Sequence, residues 1–383
     1  MGGGSRLRGA LRGAAAWISE RGIVASVEGP SRRRVPGRRR QPEHQDPRDR
    51  QAGRRATHAG RDADLLPRDG VVVADRVRAP SHGRVVRYVE AGGARVSVIG
   101  LGTWQFGSTE WGYGRDYNTK VAGDIVRRAL DLGVNLIDTA EIYGLGRSER
   151  IISGAIRDRR NAVFLATKLI PIGLPFMTGW RARSSLRRLG VDSVDLYQLH
   201  WPSPFFPPRS TMPRFRRLVD EGVTRHAGVS NHGLAAWQEC ERAFGGPILS
   251  NQVRFSLVHR EPDRELVPWA QREGRMVIAY SPLGQGLLSG KYQTRPPANF
   301  RRVRGDFTAE GRARRAPLID ALGEIAGAHG ATAAQVSLAW LVRKPNVVAI
   351  PGASSVRQLE ENVAAADLTL SDDEVRRLDS LSL

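Results

Sequence analysis

The stretch from Leu136 to Trp201 constrains this chain more than any other. It holds three apolar, strand-like runs, NLIDTAEIYG, VFLATK and VDLYQLHW, spaced about one strand-plus-helix unit apart. Each run ends on a polar residue that a plain core strand would not carry: Asp138, Lys168 and His200. Tyr143 follows Asp138 by five positions. Short apolar runs separated by helical segments imply parallel strands. In a parallel barrel, groups at the carboxyl ends of successive strands converge on one mouth. An acid, a lysine, a histidine and a tyrosine, far apart in sequence, are therefore expected to meet in space.

The pattern extends in both directions. Val86 to Val89 and Arg95 to Val98 read as a hairpin around Gly92-Gly93, with a first barrel strand at about Val96 to Gly100. Asn118 to Leu132 reads as a helix with Val121, Ile125, Ala129 and Leu132 on one face. Further strand ends fall near Ser230, Val253, Tyr280 and Pro351, most at intervals of 22 to 32 residues. The gap from Tyr280 to Pro351 is wider. It holds a long loop over the mouth before a helix near Leu318 to His329, and loops of that length in a compact domain are usually functional. VRQLEENVAA and SDDEVRRLDSL read as two more helices, the second with Ser371 as N-cap and acids in its first turn.

Eight short motifs then carry a resemblance. They are GLGTWQFG at Gly100 to Gly107, DTAEIYGLGRSE at Asp138 to Glu149, ATK ending at Lys168 and LYQLHWP ending at Pro202. GVSN ending at Asn231, NQV from Asn251, YSPLGQGLLSGKY from Tyr280 and IPGASS from Ile350 complete the set. In this order, over nearly all of Val86 to Leu383, the sequence resembles the aldo-keto reductases, which are (β/α)8 TIM barrels that move hydride between NADPH and a carbonyl. The resemblance implies a barrel over residues 85–383, with a hairpin closing its bottom, and a small-molecule carbonyl substrate.

The chemistry of such a reaction explains the polar strand ends. Hydride transfer to a carbonyl leaves negative charge on oxygen, so the site needs an aimed donor and a proton to give. A free tyrosine, with a pKa of about 10, is a poor acid-base group at neutral pH unless its anion is stabilised. A nearby ammonium favours the phenolate, and a carboxylate can hold that ammonium in place. Asp138, Tyr143, Lys168 and His200 match the family's catalytic positions one for one. The implied roles are Tyr143 as proton donor, Lys168 as its pKa modulator, Asp138 as the lysine's partner and His200 as orienter of the carbonyl. Taken singly, a strand-end Asp is often a cap and a lone His a satisfied core residue; the four together with their flanking motifs make a site. Only four of 59 basic residues are Lys, yet one of them stands at this strand end, where Arg would be bulkier and permanently charged.

No G-x-G-x-x-G follows a first strand, so the nicotinamide carrier is not a Rossmann domain. By resemblance, Ser230, Asn231 and Gln252 hold the nicotinamide carboxamide and Tyr280 stacks on its ring. Ser281, Leu283 and Gly284 begin the loop that cradles the pyrophosphate, where small residues allow close backbone approach. Gly352, Ser354, Gln358, Glu361 and Asn362 fall where the adenosine end binds. Many relatives place Lys or Arg at the positions of Ser354 or Gln358 to grip the 2′-phosphate, and this chain has neither. NADPH is the expected cofactor, with NADH left open. Trp104, Trp111 and Trp201 imply an apolar, aromatic-walled substrate pocket, or else ordinary packing at the barrel top. No metal-ligand set is assigned.

The first 85 residues differ in kind. They carry 19 Arg against 9 acidic residues, half of the chain's excess positive charge, in runs such as SRRRVPGRRR without apolar periodicity. Such a segment cannot bury enough surface to offset its ordering entropy, so residues 1–84 are expected to be a disordered basic extension, with the natural start of the folded part near Val85. Arg clusters attract phosphate, but no aromatic is interleaved to stack a base, so a nucleic-acid partner is not expected. No run of eighteen apolar residues occurs, so no membrane span is expected. The lone Cys240, in WQECERAF, reads as a packing or surface residue and fits a reducing cytoplasm. The resemblance leaves a second functional class open: a nicotinamide-binding subunit that senses redox state without significant turnover.

Overall fold

The computed structural model describes residues 72–78, 85–294, 296–297, 300–303 and 305–382. Eight parallel strands form one sheet: β4 (Leu101–Gly102), β5 (Leu136–Asp138), β6 (Phe164–Leu169), β7 (Val194–Leu199), β8 (Thr224–Ser230), β9 (Ser250–Arg254), β10 (Met276–Tyr280) and β11 (Val347–Ala349). The sheet closes on itself. Gly100 N–H donates to the Ala349 carbonyl at 2.8 Å, Ala349 N–H to the Val98 carbonyl at 2.9 Å, and Gly102 N–H to the Pro351 carbonyl at 3.1 Å. With helices between the strands, this is a (β/α)8 barrel. The β6 and β7 residues are buried throughout, as strands covered on both faces must be.

Ahead of the barrel lies a separate antiparallel sheet of β1 (Val72–Arg78), β2 (Val85–Ala91) and β3 (Ala94–Ser97). The turn between β2 and β3 is Gly92-Gly93, both at positive φ (53° and 76°), a conformation that glycine reaches without a Cβ penalty. Tyr88 hydroxyl donates to the Gly133 carbonyl at 3.0 Å, and Ser97 N–H to Asn135 Oδ1 at 2.8 Å. Both contacts lie just before β5, which puts the hairpin at the barrel's amino-terminal end.

Two sequence expectations shift here. The first barrel strand was expected at Val96–Gly100. However, Ser97 is still paired antiparallel with Tyr88, so barrel pairing begins only beyond it, and β4 is Leu101–Gly102. Val72–Arg78, inside the segment expected to be disordered, instead forms β1, antiparallel to β2. Its sequence VVADRVR is locally rich in β-branched residues, which the charge balance of the whole segment conceals. The rest of residues 1–84 lies outside the described residues.

The helices start and stop on local signals. Asn118 caps Thr119–Asp131 by accepting from the N–H groups of Lys120 and Val121, which offsets orphan donors of the first turn. Ile125, Val126, Ala129 and Leu130 are the face that this helix buries. Thr332 and Ser371 each form a capping box, with Gln335 and Glu374 respectively. The helix expected from Leu318 begins earlier, at Ala309, capped by Thr308, and runs to Ala328. Pro317 lies within it, and a proline inside a helical pattern reads from sequence as a boundary.

Candidate active site

The four strand-end residues meet. Asp138 is the last residue of β5, Lys168 lies near the end of β6, and His200 directly follows β7. Lys168 Nζ donates to Asp138 Oδ2 at 2.6 Å, to the Thr139 carbonyl at 2.8 Å and to the Tyr143 hydroxyl at 3.3 Å. Asp138 and Lys168 are both fully buried. Tyr143 is half-buried, at the start of a tight turn in which Gly144 and Leu145 both adopt left-handed backbone. That turn brings the phenol back over the lysine. Its ring meets His200 edge-on at 5.8 Å between centroids.

Burial decides the protonation of this cluster. It pushes the Tyr143 phenol well above its ordinary range, and the negative charge of Asp138 adds to the rise. Desolvation lowers the Lys168 ammonium, with Asp138 opposing. His200 is held well below the ordinary histidine range, first by burial and second by the Lys168 charge. Both directions favour a neutral phenol and a neutral imidazole in the site.

Asp138 has further partners that the sequence did not announce. Its Oδ1 accepts from Gln252 Nε2 at 2.8 Å, while Gln198 Nε2 approaches at 3.4 Å. Both glutamines are buried. Gln198 lies two residues before His200 in VDLYQLHW, and strand alternation puts it on the same side as the histidine; that was the available signal. Space for it is made by Gly228, where a Cβ would stand 2.8 Å from Gln198 Cγ and 3.0 Å from Ser250 Oγ.

Residues assigned by resemblance to the nicotinamide end form a hydrogen-bonded group beside the four. Ser230 Oγ donates to the Gln252 carbonyl at 2.8 Å. Asn231, at φ 62°, sends Nδ2 to the His200 carbonyl at 3.0 Å, and its Oδ1 accepts from the Tyr280 hydroxyl at 2.8 Å. Ser281 (φ 50°) and Gly284 (φ 56°) are also left-handed, with Leu283 between them. Gly352, Ser354, Gln358, Glu361 and Asn362 form a second group beyond β11. Asn362 Nδ2 donates to the Gly352 carbonyl at 3.2 Å, and Gln358 Oε1 accepts from Ser354 N–H and Oγ. Arg357 is turned to Glu361 at 2.9 Å. Trp104 and Trp111 touch at 5.3 Å between centroids, with the Arg301 guanidinium 5.1 Å over Trp111. Trp201 is half-buried just after His200.

All four non-glycine residues with positive φ among those described, Leu145, Asn231, Ser281 and Gln285, lie on loops after β5, β8 and β10. Strained backbone of this kind persists where surrounding structure over-determines it, and clusters at functional sites.

A family model described as the aldo/keto reductase family matches residues 98–383. The chain belongs to the aldo/keto reductase family. An oxidoreductase of Mycobacterium tuberculosis is 52% identical over 289 residues, covering 75% of this chain and 90% of the relative. The methylglyoxal reductase YeaE of Escherichia coli is 35% identical, covering 76% and 92% respectively. Among solved structures, the thermostable aldo-keto reductase Tm1743, in complex with the inhibitor epalrestat, matches with a TM-score of 0.65 at 35% identity. That match covers 77% of this chain and 99% of the other. An aldo/keto reductase from Klebsiella pneumoniae, in complex with NADP and acetate, matches with a TM-score of 0.61 at 32% identity, covering 76% and 93%. The aldo/keto reductase described here is thus an oxidoreductase by family and a TIM barrel by fold.

Proposed function

We propose that this aldo/keto reductase reduces an aldehyde or ketone with NADPH, Tyr143 giving the proton. The observation that carries the reading is the buried chain from Asp138 to Lys168 to Tyr143, at 2.6 and 3.3 Å, with the His200 ring against the phenol.

The residues present fit a nicotinamide cofactor. Ser230, Asn231 and Gln252 would hold the carboxamide, and the half-buried Tyr280 ring, tethered by its hydroxyl to Asn231, would lie against the nicotinamide. Ser281, Leu283 and Gly284 would receive the pyrophosphate, and Gly352, Ser354, Gln358, Glu361 and Asn362 the adenosine end. The Klebsiella relative's complex with NADP supports this choice. When bound, the cofactor supplies the hydride.

The protein supplies orientation and a proton. His200, kept neutral by burial, can donate a ring N–H to the substrate oxygen without carrying charge into the site. Tyr143, held as a phenol, is fully loaded as a donor at neutral pH. Once its proton leaves, the phenolate lies 3.3 Å from the Lys168 ammonium, and the attraction between them is strong in a water-poor site. Lys168 would thus stabilise the phenolate that proton transfer leaves. Asp138 keeps the ammonium charged and aimed. Trp104, Trp111 and Trp201 give the substrate aromatic walls, which fits a carbonyl compound with an apolar or aromatic body.

The test is NADPH and NADH titration by protein fluorescence, followed by NADPH oxidation with a panel of small aldehydes. Tyr143→Phe should lower turnover by at least about a hundredfold, the scale of general-acid catalysis, while leaving the NADPH dissociation constant unchanged. Normal turnover in that variant would remove Tyr143 from the mechanism.

A further inference from the structure

Beside the loop that carries Tyr143, a cleft of about 560 Å³ opens between the helices Arg147–Ile156 and Thr178–Leu189. Its lining is Glu141, Arg150, Trp180, Arg181, Ser184, Arg187 and Arg188. Four guanidiniums therefore face one carboxylate. We infer that this cleft is a binding site for an aryl phosphate, a planar ring carrying a phosphate monoester.

The arginines divide into two kinds. Arg181 is committed: it is paired with Glu141 and also donates to the Ile172 carbonyl. Arg188 is committed to the buried Glu149 at 2.5 Å and to Ser185 Oγ at 2.9 Å. These two are walls, their positions fixed by carboxylates that are themselves tied down. Glu141 Oε1 accepts from the Ile170 N–H, and Glu149 Oε1 from Thr167 Oγ1, both at 2.8 Å. Arg150 and Arg187 are exposed and form no ion pair among the described residues. Arg187 is nonetheless braced, since its Nη2 donates to Ser184 Oγ at 2.7 Å and Ser184 Oγ donates to the Trp180 carbonyl at 2.9 Å.

Arginine is common on this protein, so charge alone assigns nothing. What sets the cleft apart is two uncompensated guanidiniums in one concave place, with a ring beside them. Trp180 is 63% exposed, its indole unclaimed by any ring contact among the described residues. Two positive charges match a phosphate monoester, which carries about −1.5 to −2 at neutral pH. The planar guanidinium fork binds its oxygens in pairs. The indole offers a face on which a flat ring can stack at low entropic cost. A cleft of this size accommodates a ligand of one ring and one phosphate.

The test uses the full chain and 4-methylumbelliferyl phosphate as probe, with 4-methylumbelliferone and inorganic phosphate as partial ligands. Saturable fluorescence change with the aryl phosphate is expected, at least about tenfold tighter than with either partial ligand, and weakening with salt as exposed charge pairs do. Arg150→Ala/Arg187→Ala and Trp180→Leu should each weaken the probe at least about tenfold, with circular dichroism unchanged. Binding should persist in saturating NADP. Displacement of the probe by NADP, equal binding of inorganic phosphate, or indifference to both variants would overturn the site. The variant comparison stands even if NADP itself does not bind, so this inference and the proposed function fail separately.

Discussion

At the residue scale the decisive pair is Asp138 with Lys168, both out of water at 2.6 Å. A buried ion pair adds little net stability, but removing one partner strands the other as an uncompensated charge, at a cost of about 3–5 kcal/mol. Lys168→Met should accordingly lose stability on that scale, measured as a urea unfolding midpoint, as well as activity. Asp138→Asn/Lys168→Met should recover a large part of the stability, since no buried charge remains, and stay inactive. A double variant as unstable as the single would show that the carboxylate is not the source of the loss. The three polar strand ends, Asp138, Lys168 and His200, were legible in the sequence because each broke an apolar run, and a polar residue at a strand's end has a predictable destination; Tyr143 was legible only through its motif. Strand alternation from His200 gave the side on which Gln198 lies, but that it and Gln252 both reach Asp138 was not legible. Alternation gives the face of a buried amide, but its value depends on the one neighbour it reaches. The desolvation of Tyr143 lay out of reach for a related reason: charge can be counted from sequence, while desolvation requires knowing how deep the group lies.

At the scale of elements, the barrel depends on its seam. Gly102 of β4 passes so close to β11 that a Cβ would stand 2.7 Å from the Ile350 carbonyl oxygen, a backbone atom with nowhere to go. Gly102→Ala should therefore destabilise by about 1–3 kcal/mol, the usual cost of overpacking, and lower the melting temperature. Gly154 is the control. It sits exposed inside the helix Arg147–Ile156 with nothing within 4 Å of an added Cβ, so Gly154→Ala should stabilise by about 0.5–1 kcal/mol. Equal effects of the two substitutions would show that the seam is not close-packed. Strand and helix existence followed from the alternation of apolar runs and caps. Besides β1, departures fell at β4 and at the helix Ala309–Ala328, where one chain segment serves two sheets in turn and where Pro317 sits in a helix without ending it. Tertiary packing settled both: the Thr308 cap was a local trace, and Pro317 pointed the other way.

At the scale of the whole molecule, the barrel is expected to lose stability in acid because it holds histidine rings out of water, where desolvation favours the neutral form. His232 is pushed down to about 4, chiefly by burial, and His259 likewise to about 4. The His200 ring is lowered in the same direction. A histidine whose folded pKa lies below its unfolded value of 6.5 contributes stability that is fully present above 6.5. That contribution shrinks as pH falls, because the unfolded chain takes up the proton first, and it is lost through the folded pKa near 4. For His232, buried at 3% exposure, the window corresponds to on the order of 3 kcal/mol at about 1.4 kcal/mol per pKa unit. The net charge of +20 at neutral pH works in the same sense, since each added proton raises self-repulsion in the compact state. The urea midpoint should therefore decline steadily from about pH 7 to about pH 4.5. His232→Asn should start lower, having lost the ring's bond to the Ser230 carbonyl at 2.8 Å, but decline less over the same range. A wild-type midpoint that stays flat across that window would mean the buried rings titrate as freely in the folded barrel as in the open chain.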